Sequence, residues 1–283
     1  MSKSADHPSR HADDQGLTHP FAVVTGASSG IGFELAKGLG EHGYDLLVVA
    51  EGSGIHEAAK QLAGTGTHAT ALQADLATAS GVEELVDRID RLRRPVDVLV
   101  LNAGIGVGGP FLETSLEAEL ELIRLNVISV VATSKHLLPR MVAAGQGRVL
   151  YTASVASEMP APFQAVYGAS KAFVLSFAEA VRNEIKDSGV TITALQPGAT
   201  ETNFFARAGM LDTRVGSAKK DDPADVARDG LKALFDGDDS VVAGSFLNTV
   251  QSVMGHVTPE TLKAQLHRKL TEPGSGDIDE AKP

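Results

Sequence analysis

The feature that most constrains this chain is a regular alternation of two patterns. Short apolar, β-branched runs lie at Phe21–Thr25, Asp45–Val49, His68–Gln73, Val96–Leu101, Arg148–Thr152, Thr191–Leu195 and Ser240–Ala243. Between them come longer stretches with helical spacing, at Ile31–His42, Ile55–Ala63, Val82–Arg93, Leu116–Val142, Ala165–Lys186 and Pro223–Phe235. The short runs are apolar nearly throughout, as strands covered on both faces must be, and the helices between them supply the crossovers that parallel strands need. The expected fold is therefore α/β, a doubly wound parallel sheet of about seven strands with helices on both faces. Ligands in such sheets bind beyond the carboxyl ends of the strands, so the functional residues are expected just after strands.

Composition narrows the partners. The 283 residues carry 25 Lys and Arg against 36 Asp and Glu, a formal net charge of −11. A surface built to neutralise a nucleic-acid backbone needs clustered cations, so nucleic acid is not an expected partner. No uninterrupted apolar run reaches the roughly 18 residues of a membrane span, which leaves no membrane partner and points to a cytoplasmic protein. Cysteine is absent, which removes disulfides, thiol catalysis and cysteine-ligated zinc. Residues 1–19 are polar and aperiodic and read as a disordered leader. Its His7, His11 and His19 offer a metal no fixed geometry, so no metal site is expected. One domain is expected over residues 20–271, with a lid at about 199–216, followed by a polar tail over 272–283.

Glycine is in mild excess, and one cluster is placed where a phosphate would lie. The first strand runs into Thr25-Gly26-Ala27-Ser28-Ser29-Gly30-Ile31-Gly32, and a helix begins at once. Glycines there let backbone N–H groups and a helix N-terminus face a pyrophosphate. The same residues also satisfy G-x-S-x-G at Gly26–Gly30, the nucleophile elbow of serine hydrolases, with Ser28 as nucleophile. That second reading leaves Gly32 unexplained and lacks the earlier strand and loop that an oxyanion hole requires.

The chain has three tyrosines, and Tyr167 alone is followed four residues later by a lysine, Lys171. Positions i and i+4 share a helix face. A phenol with an ordinary pKa of about 10 needs about 3–4 kcal/mol of help to act as a base near neutrality. One ammonium at about 5 Å and an effective dielectric of about 20 supplies roughly 3 kcal/mol. Ser154 ends the fifth strand, and Asn126 lies inside a long apolar helix, where an amide is unfavourable without a buried task.

Together these residues resemble the short-chain dehydrogenase/reductase family, over Phe21 to about Gly244. TGASSGIG at Thr25–Gly32 resembles its cofactor loop, Leu101-Asn102-Ala103-Gly104 its Asn-Asn-Ala-Gly segment, and Asp75-Leu76 its adenine-contacting turn. Pro197-Gly198 resembles the turn after the sixth strand, with Thr200 and Thr202 following. The resemblance implies a Rossmann-type fold and an Asn126–Ser154–Tyr167–Lys171 tetrad. In it Tyr167 exchanges a proton with the substrate oxygen, Lys171 tunes Tyr167 and binds the nicotinamide ribose, Ser154 orients the reacting oxygen, and Asn126 holds a water chain. It further implies dinucleotide contacts at Gly26, Ser28, Ser29, Gly30, Ile31, Gly32, Glu51, Asp75, Leu76, Asn102, Ala103, Gly104, Tyr167, Lys171, Pro197, Gly198, Thr200 and Thr202.

The chain departs from the family pattern at Leu101, where the first Asn usually stands, and at Ala153, where a second serine is common. After the second strand it carries Ala50-Glu51, neither the Asp of NAD-preferring members nor the Arg of NADP-preferring ones. A 2′-phosphate beside Glu51 would meet like charge, so NAD(H) is expected over NADP(H). Apolar residues of the lid, Phe204, Phe205, Met210 and Leu211, point to a hydrophobic carbonyl or alcohol substrate. Oligomerisation, as a dimer or tetramer, is implied through the helices around Leu116–Val142 and Ala165–Lys186. Two readings remain: an oxidoreductase acting on CH–OH groups, or a non-catalytic relative that binds the dinucleotide as a sensor or structural partner.

Overall fold

In the computed structural model of the chain, residues 19–63, 67–244 and 259–276 are described. The expected leader, apart from His19, lies outside them, as do residues 245–258 and 277–283. Seven strands form one parallel sheet: β1 (Phe21–Thr25), β2 (Asp45–Ala50), β3 (Ala69–Gln73), β4 (Val98–Leu101), β5 (Gly147–Thr152), β6 (Val190–Pro197) and β7 (Ser240–Ala243). Their spatial order is β3-β2-β1-β4-β5-β6-β7. The winding direction reverses between β1 and β4, and a crevice opens there at the strand ends.

Neighbouring residues on a strand serve opposite cores, which explains their continuous apolarity. Val24, Leu46, Val48 and Leu150 pack under α1 (Gly30–Glu41), α2 (Gly54–Ala63) and α9 (Pro223–Asp236). Val23, Leu47, Leu99 and Tyr151 pack under α3 (Ala79–Leu92), α5 (Ser129–Ala144) and α6 (Ala165–Glu184). Each fully buried Val or Leu contributes about 1.5–3 kcal/mol relative to exposure, so a one-residue slip in any strand would exchange one core for the other at heavy cost. Local signals set the helix ends: the Thr78 hydroxyl accepts from Gly81 N–H at 3.0 Å to cap α3, and Asp222 caps α9 with Pro223 in its first turn.

The stretch Leu116–Val142, read as one helix, has a break in its hydrogen-bond ladder. Here α4 (Leu116–Ile123) passes through a π-helical turn at Arg124–Ile128 into α5. The wider turn surrounds Asn126, whose side chain is directed inward and bound to the chain after β4. Short elements absent from the hydropathy pattern also occur: a 3₁₀ turn at Val155–Glu158, α7 (Phe204–Arg207) and α8 (Arg214–Ser217). The amphipathic run at Pro259–Leu270 forms α10 (Glu260–Thr271), which packs against α8. The segment expected as a polar tail starts inside this docked stretch, where Ser275 is buried and its hydroxyl accepts from Arg214 N–H at 2.9 Å. Among the described residues no helix is long and apolar enough to cross a membrane.

Candidate active site

The glycine loop occupies the turn from β1 into α1. Gly26 has φ 67° and Gly30 φ 58°, the left-handed region that other residues enter only at a cost. A side chain at Gly32 would overlap the Gly26 carbonyl and the Asn102 amide, so this glycine permits close helix–strand packing. Ser29 is the N-cap of α1 and makes no side-chain capping bond. The first N–H groups of the helix are thus left for another acceptor. This cradle fits a dinucleotide pyrophosphate.

Asn102 joins that loop to the middle of the sheet. Its amide donates to Thr25 O at 3.1 Å and Gly26 O at 3.4 Å, while its own side-chain oxygen accepts from Thr152 at 3.2 Å. The Thr25 hydroxyl accepts from the N–H groups of Asn102 and Ala103 at 3.0 and 3.1 Å. Three strand ends are thereby tied at the switch point. The second threonine, Thr152, escaped the sequence reading; its only signal was a polar residue closing an apolar strand.

Asn126 is 1% exposed and fully engaged. Its amide donates to Ile105 O at 2.9 Å and to the Ser170 hydroxyl at 3.1 Å, and its oxygen accepts from Ile105 N–H at 3.0 Å. Lys171, one turn beyond Tyr167 on α6, is buried and donates to Thr152 O at 2.8 Å. A Cβ at Gly104 would stand 3.1 Å from Asn126 Oδ1 and 3.3 Å from Lys171 Nζ. The bare backbone of Gly104 therefore lies between the two groups. Ser170, which links Asn126 to the Tyr167 carbonyl at 2.7 Å, was also missed, though it adjoins Lys171 in the sequence.

Ser154 caps the 3₁₀ turn after β5, accepting from Ala156 N–H at 3.1 Å, while the Ser157 hydroxyl accepts from Ser154 N–H at 3.2 Å. Its side chain also stands beside the Tyr167 phenol, whose pKa it lowers. The electrostatics differ from the sequence expectation. Burial pushes the Tyr167 phenol up to about 12, with neighbouring Ser154 opposing it, and burial pulls Lys171 down to about 8. Lys171 Nζ stands 5.9 Å from the Tyr167 ring centroid; in the protein by itself, desolvation outweighs the expected help from the ammonium.

The remaining expected residues rim the same crevice. Asp75 accepts from Ala77 N–H at 2.9 Å in the turn after β3, and Leu76 is buried. Glu51 is exposed after β2, and Ser28 and Ile31 are half-buried in the loop. Pro197 ends β6; the Thr200 hydroxyl turns back to Gly198 O at 3.0 Å. Thr202 leans over the glycine loop, since a Cβ at Gly30 would lie 2.8 Å from its methyl group.

With this geometry in hand, likeness to known proteins becomes decisive. The profile of the short chain dehydrogenase family matches residues 20–210. The chain belongs to this family. That membership removes the serine hydrolase reading of Gly26–Gly30. A ketoacyl reductase of Nostoc, HetN, is 29% identical over 256 residues, covering 87% of this chain and 88% of its own. A putative ketoacyl reductase of Streptomyces coelicolor is 36% identical over 188 residues, 65% of this chain and 72% of that one. Among solved structures, a short-chain dehydrogenase from Sphingobium yanoikuyae in complex with NADPH superimposes with a TM-score of 0.74 at 29% identity, over 79% of this chain and 87% of that one. The protein is thus an oxidoreductase of the short-chain dehydrogenase family, with the nucleotide-binding Rossmann-type fold.

Proposed function

We propose that the protein interconverts a carbonyl compound and its secondary or primary alcohol, with Tyr167 as the acid/base. The observation that carries this reading is the convergence of Asn126 from the π-helical turn, Ser154 from the cap of the 3₁₀ turn, and Tyr167 and Lys171 from α6, linked through Ser170, Thr152 and Gly104. A pure dinucleotide binder gains nothing from a phenol set beside a serine and a buried lysine. The dinucleotide, cradled by Gly26–Gly32, Asn102–Gly104 and Thr202, would supply hydride chemistry at its nicotinamide. The chain supplies the rest. A phenol held near pKa 12 is protonated at neutral pH and so is ready to donate to a carbonyl oxygen in the reductive direction. The Ser154 hydroxyl can bond the same oxygen, and Lys171, anchored on Thr152 O, is placed to stabilise the negative charge left on Tyr167. Asn126 keeps the segment after β4 in register with Lys171.

We infer a preference for NAD(H) over NADP(H). Exposed Glu51 follows β2, and the neighbouring hollow after β3 is lined by Asp75, Glu117 and Glu121. Its arginine, Arg124, is already paired with Glu117 at 2.7 Å. A 2′-phosphate would therefore be met mainly by carboxylates. The NADPH of the Sphingobium neighbour is the argument on the other side, and dissociation constants for NADH and NADPH decide between them.

The test is a screen of apolar ketones and alcohols with both dinucleotides, run beside Tyr167→Phe. Turnover in the parent is expected, and at least a hundredfold loss in the variant, with dinucleotide affinity retained. Tight dinucleotide binding with no turnover of any substrate would favour the sensor reading instead.

A further inference from the structure

The lid does more than cover the crevice. Phe204, half-buried at the start of α7, places its ring centroid 5.1 Å from that of Tyr167, tilted by 53°. At this separation two aromatic rings are in direct contact. On its other side the ring lies on backbone: a Cβ at Gly106, in the segment after β4, would stand 2.5 Å from Phe204 Cζ. The ring is thus held between Gly106 and the proposed acid/base.

It is also braced from behind. Phe205 meets Phe204 edge-on at 5.4 Å and 86°, and is itself buried with Ala208 and Met210. Gly108 N–H donates to Ala208 O at 2.9 Å, fastening this small core to the segment after β4. The next turn of the lid is bolted to the C-terminal segment. Gly276 N–H donates to Asp212 O at 2.9 Å, and Arg214 N–H to the Ser275 hydroxyl at 2.9 Å. An aromatic side chain with this much support acts as a wall.

We propose that Phe204 is a specificity-determining residue that restricts the lid-side substituent of the reacting carbon to hydrogen or methyl. The substrates are then aldehydes, methyl ketones and the matching alcohols, with the larger apolar group directed away from Phe204. This rests on the reading of Tyr167 as the acid/base, because the wall matters only if the reacting oxygen meets that phenol.

The experiment compares kcat/KM for an aryl methyl ketone and the corresponding aryl propyl ketone, in the parent, Phe204→Ala, Phe204→Leu, Gly106→Ala and the Gly106→Ala/Phe204→Ala double variant. The parent should favour the methyl ketone by roughly tenfold or more, the scale on which pocket volume discriminates. Phe204→Ala should raise the propyl ketone's kcat/KM by about tenfold, chiefly through KM, and lower that of the methyl ketone. Phe204→Leu, which keeps an apolar side chain in the lid core, should fall between them and decides the matter if the alanine variant does not fold. Gly106→Ala should push the ring toward Tyr167 and depress both activities, and removing the ring in the double variant should return both to the levels of Phe204→Ala. A methyl-to-propyl ratio that stays unchanged in both Phe204 variants would overturn the proposal while leaving Tyr167 untouched. A parent that turns over neither ketone, nor any ketone or alcohol in the wider screen, would overturn the acid/base reading and this proposal with it.

Discussion

At the scale of single residues, burial sets the chemistry of Tyr167 and Lys171. Burial pulls Lys171 down to about 8 in the folded protein against an unperturbed value of 10.5, so below about 8 the ammonium is present and, on the proposed acid/base role of Tyr167, can stabilise the charge left there. The kcat/KM for carbonyl reduction is therefore expected to fall as pH rises through about 8, and a profile flat to pH 10 would contradict it. The same gap has a stability consequence. Between 8 and 10.5 the unfolded chain binds a proton that the folded chain has released, so folding stability rises with pH over that window. Lys171→Met removes a burial cost of about 3 kcal/mol at most, partly offset by the lost bond to Thr152. The stability gap between variant and parent, read by urea denaturation, should shift in the parent's favour between pH 8 and 10. The proposed preference for NAD(H) makes a separate prediction: Glu51→Arg replaces like charge with a cation, and should tighten NADPH relative to NADH by roughly tenfold or more in fluorescence titrations.

At the scale of elements, the glycine turn was legible because its residues act through what they lack, and a missing Cβ can be read directly from a sequence. The π-helical turn around Asn126 was not. A single π turn adds only one residue to an otherwise α-helical stretch over Leu116–Val142, and the turn is set by hydrogen bonds to Ile105, which lies twenty-one residues earlier. The role of α10 was hidden for a related reason. Its inward side carries Lys263, His267 and Thr271, while Leu262 and Leu266 are 46% and 48% exposed, so its hydropathy pattern misreports which face is docked. The Thr271 hydroxyl donates to Pro162 O at 2.8 Å and lies 3.3 Å from His267 Nδ1. Burial pulls His267 down to about 4 from 6.5. Between these values the unfolded chain binds a proton that the folded one refuses, so stability is fully present above about 6.5 and is lost as pH falls toward 4. His267→Gln should lose less stability than the parent between pH 6.5 and 4.5, measured by thermal unfolding.

At the scale of the whole molecule, exposed apolar side chains lie on neighbouring helices. Leu116 and Ile128 are 74% and 56% exposed, and Phe173 on α6 is 38% exposed. We infer a homo-oligomer, a dimer or tetramer, through the α4–α5 and α6 faces. Ile128→Glu with Phe173→Glu should shift the mass in solution toward the monomer, as read by light scattering after gel filtration; an unchanged mass would place the interface elsewhere. The sequence by itself determined the doubly wound sheet, its strand runs and the glycine turn after the first strand. These depend on local quantities: periodicity of apolar residues, glycine where backbone must approach, and polar residues at strand ends. Only the tertiary structure decided how those residues act on one another. Lys171 leans on Thr152, Asn126 on Ile105 and Phe204 on Tyr167, and desolvation in that assembled crevice sets the acidity of the phenol and the ammonium. Burial and contact between distant segments arise from the packing of the complete fold, which no short window of sequence contains.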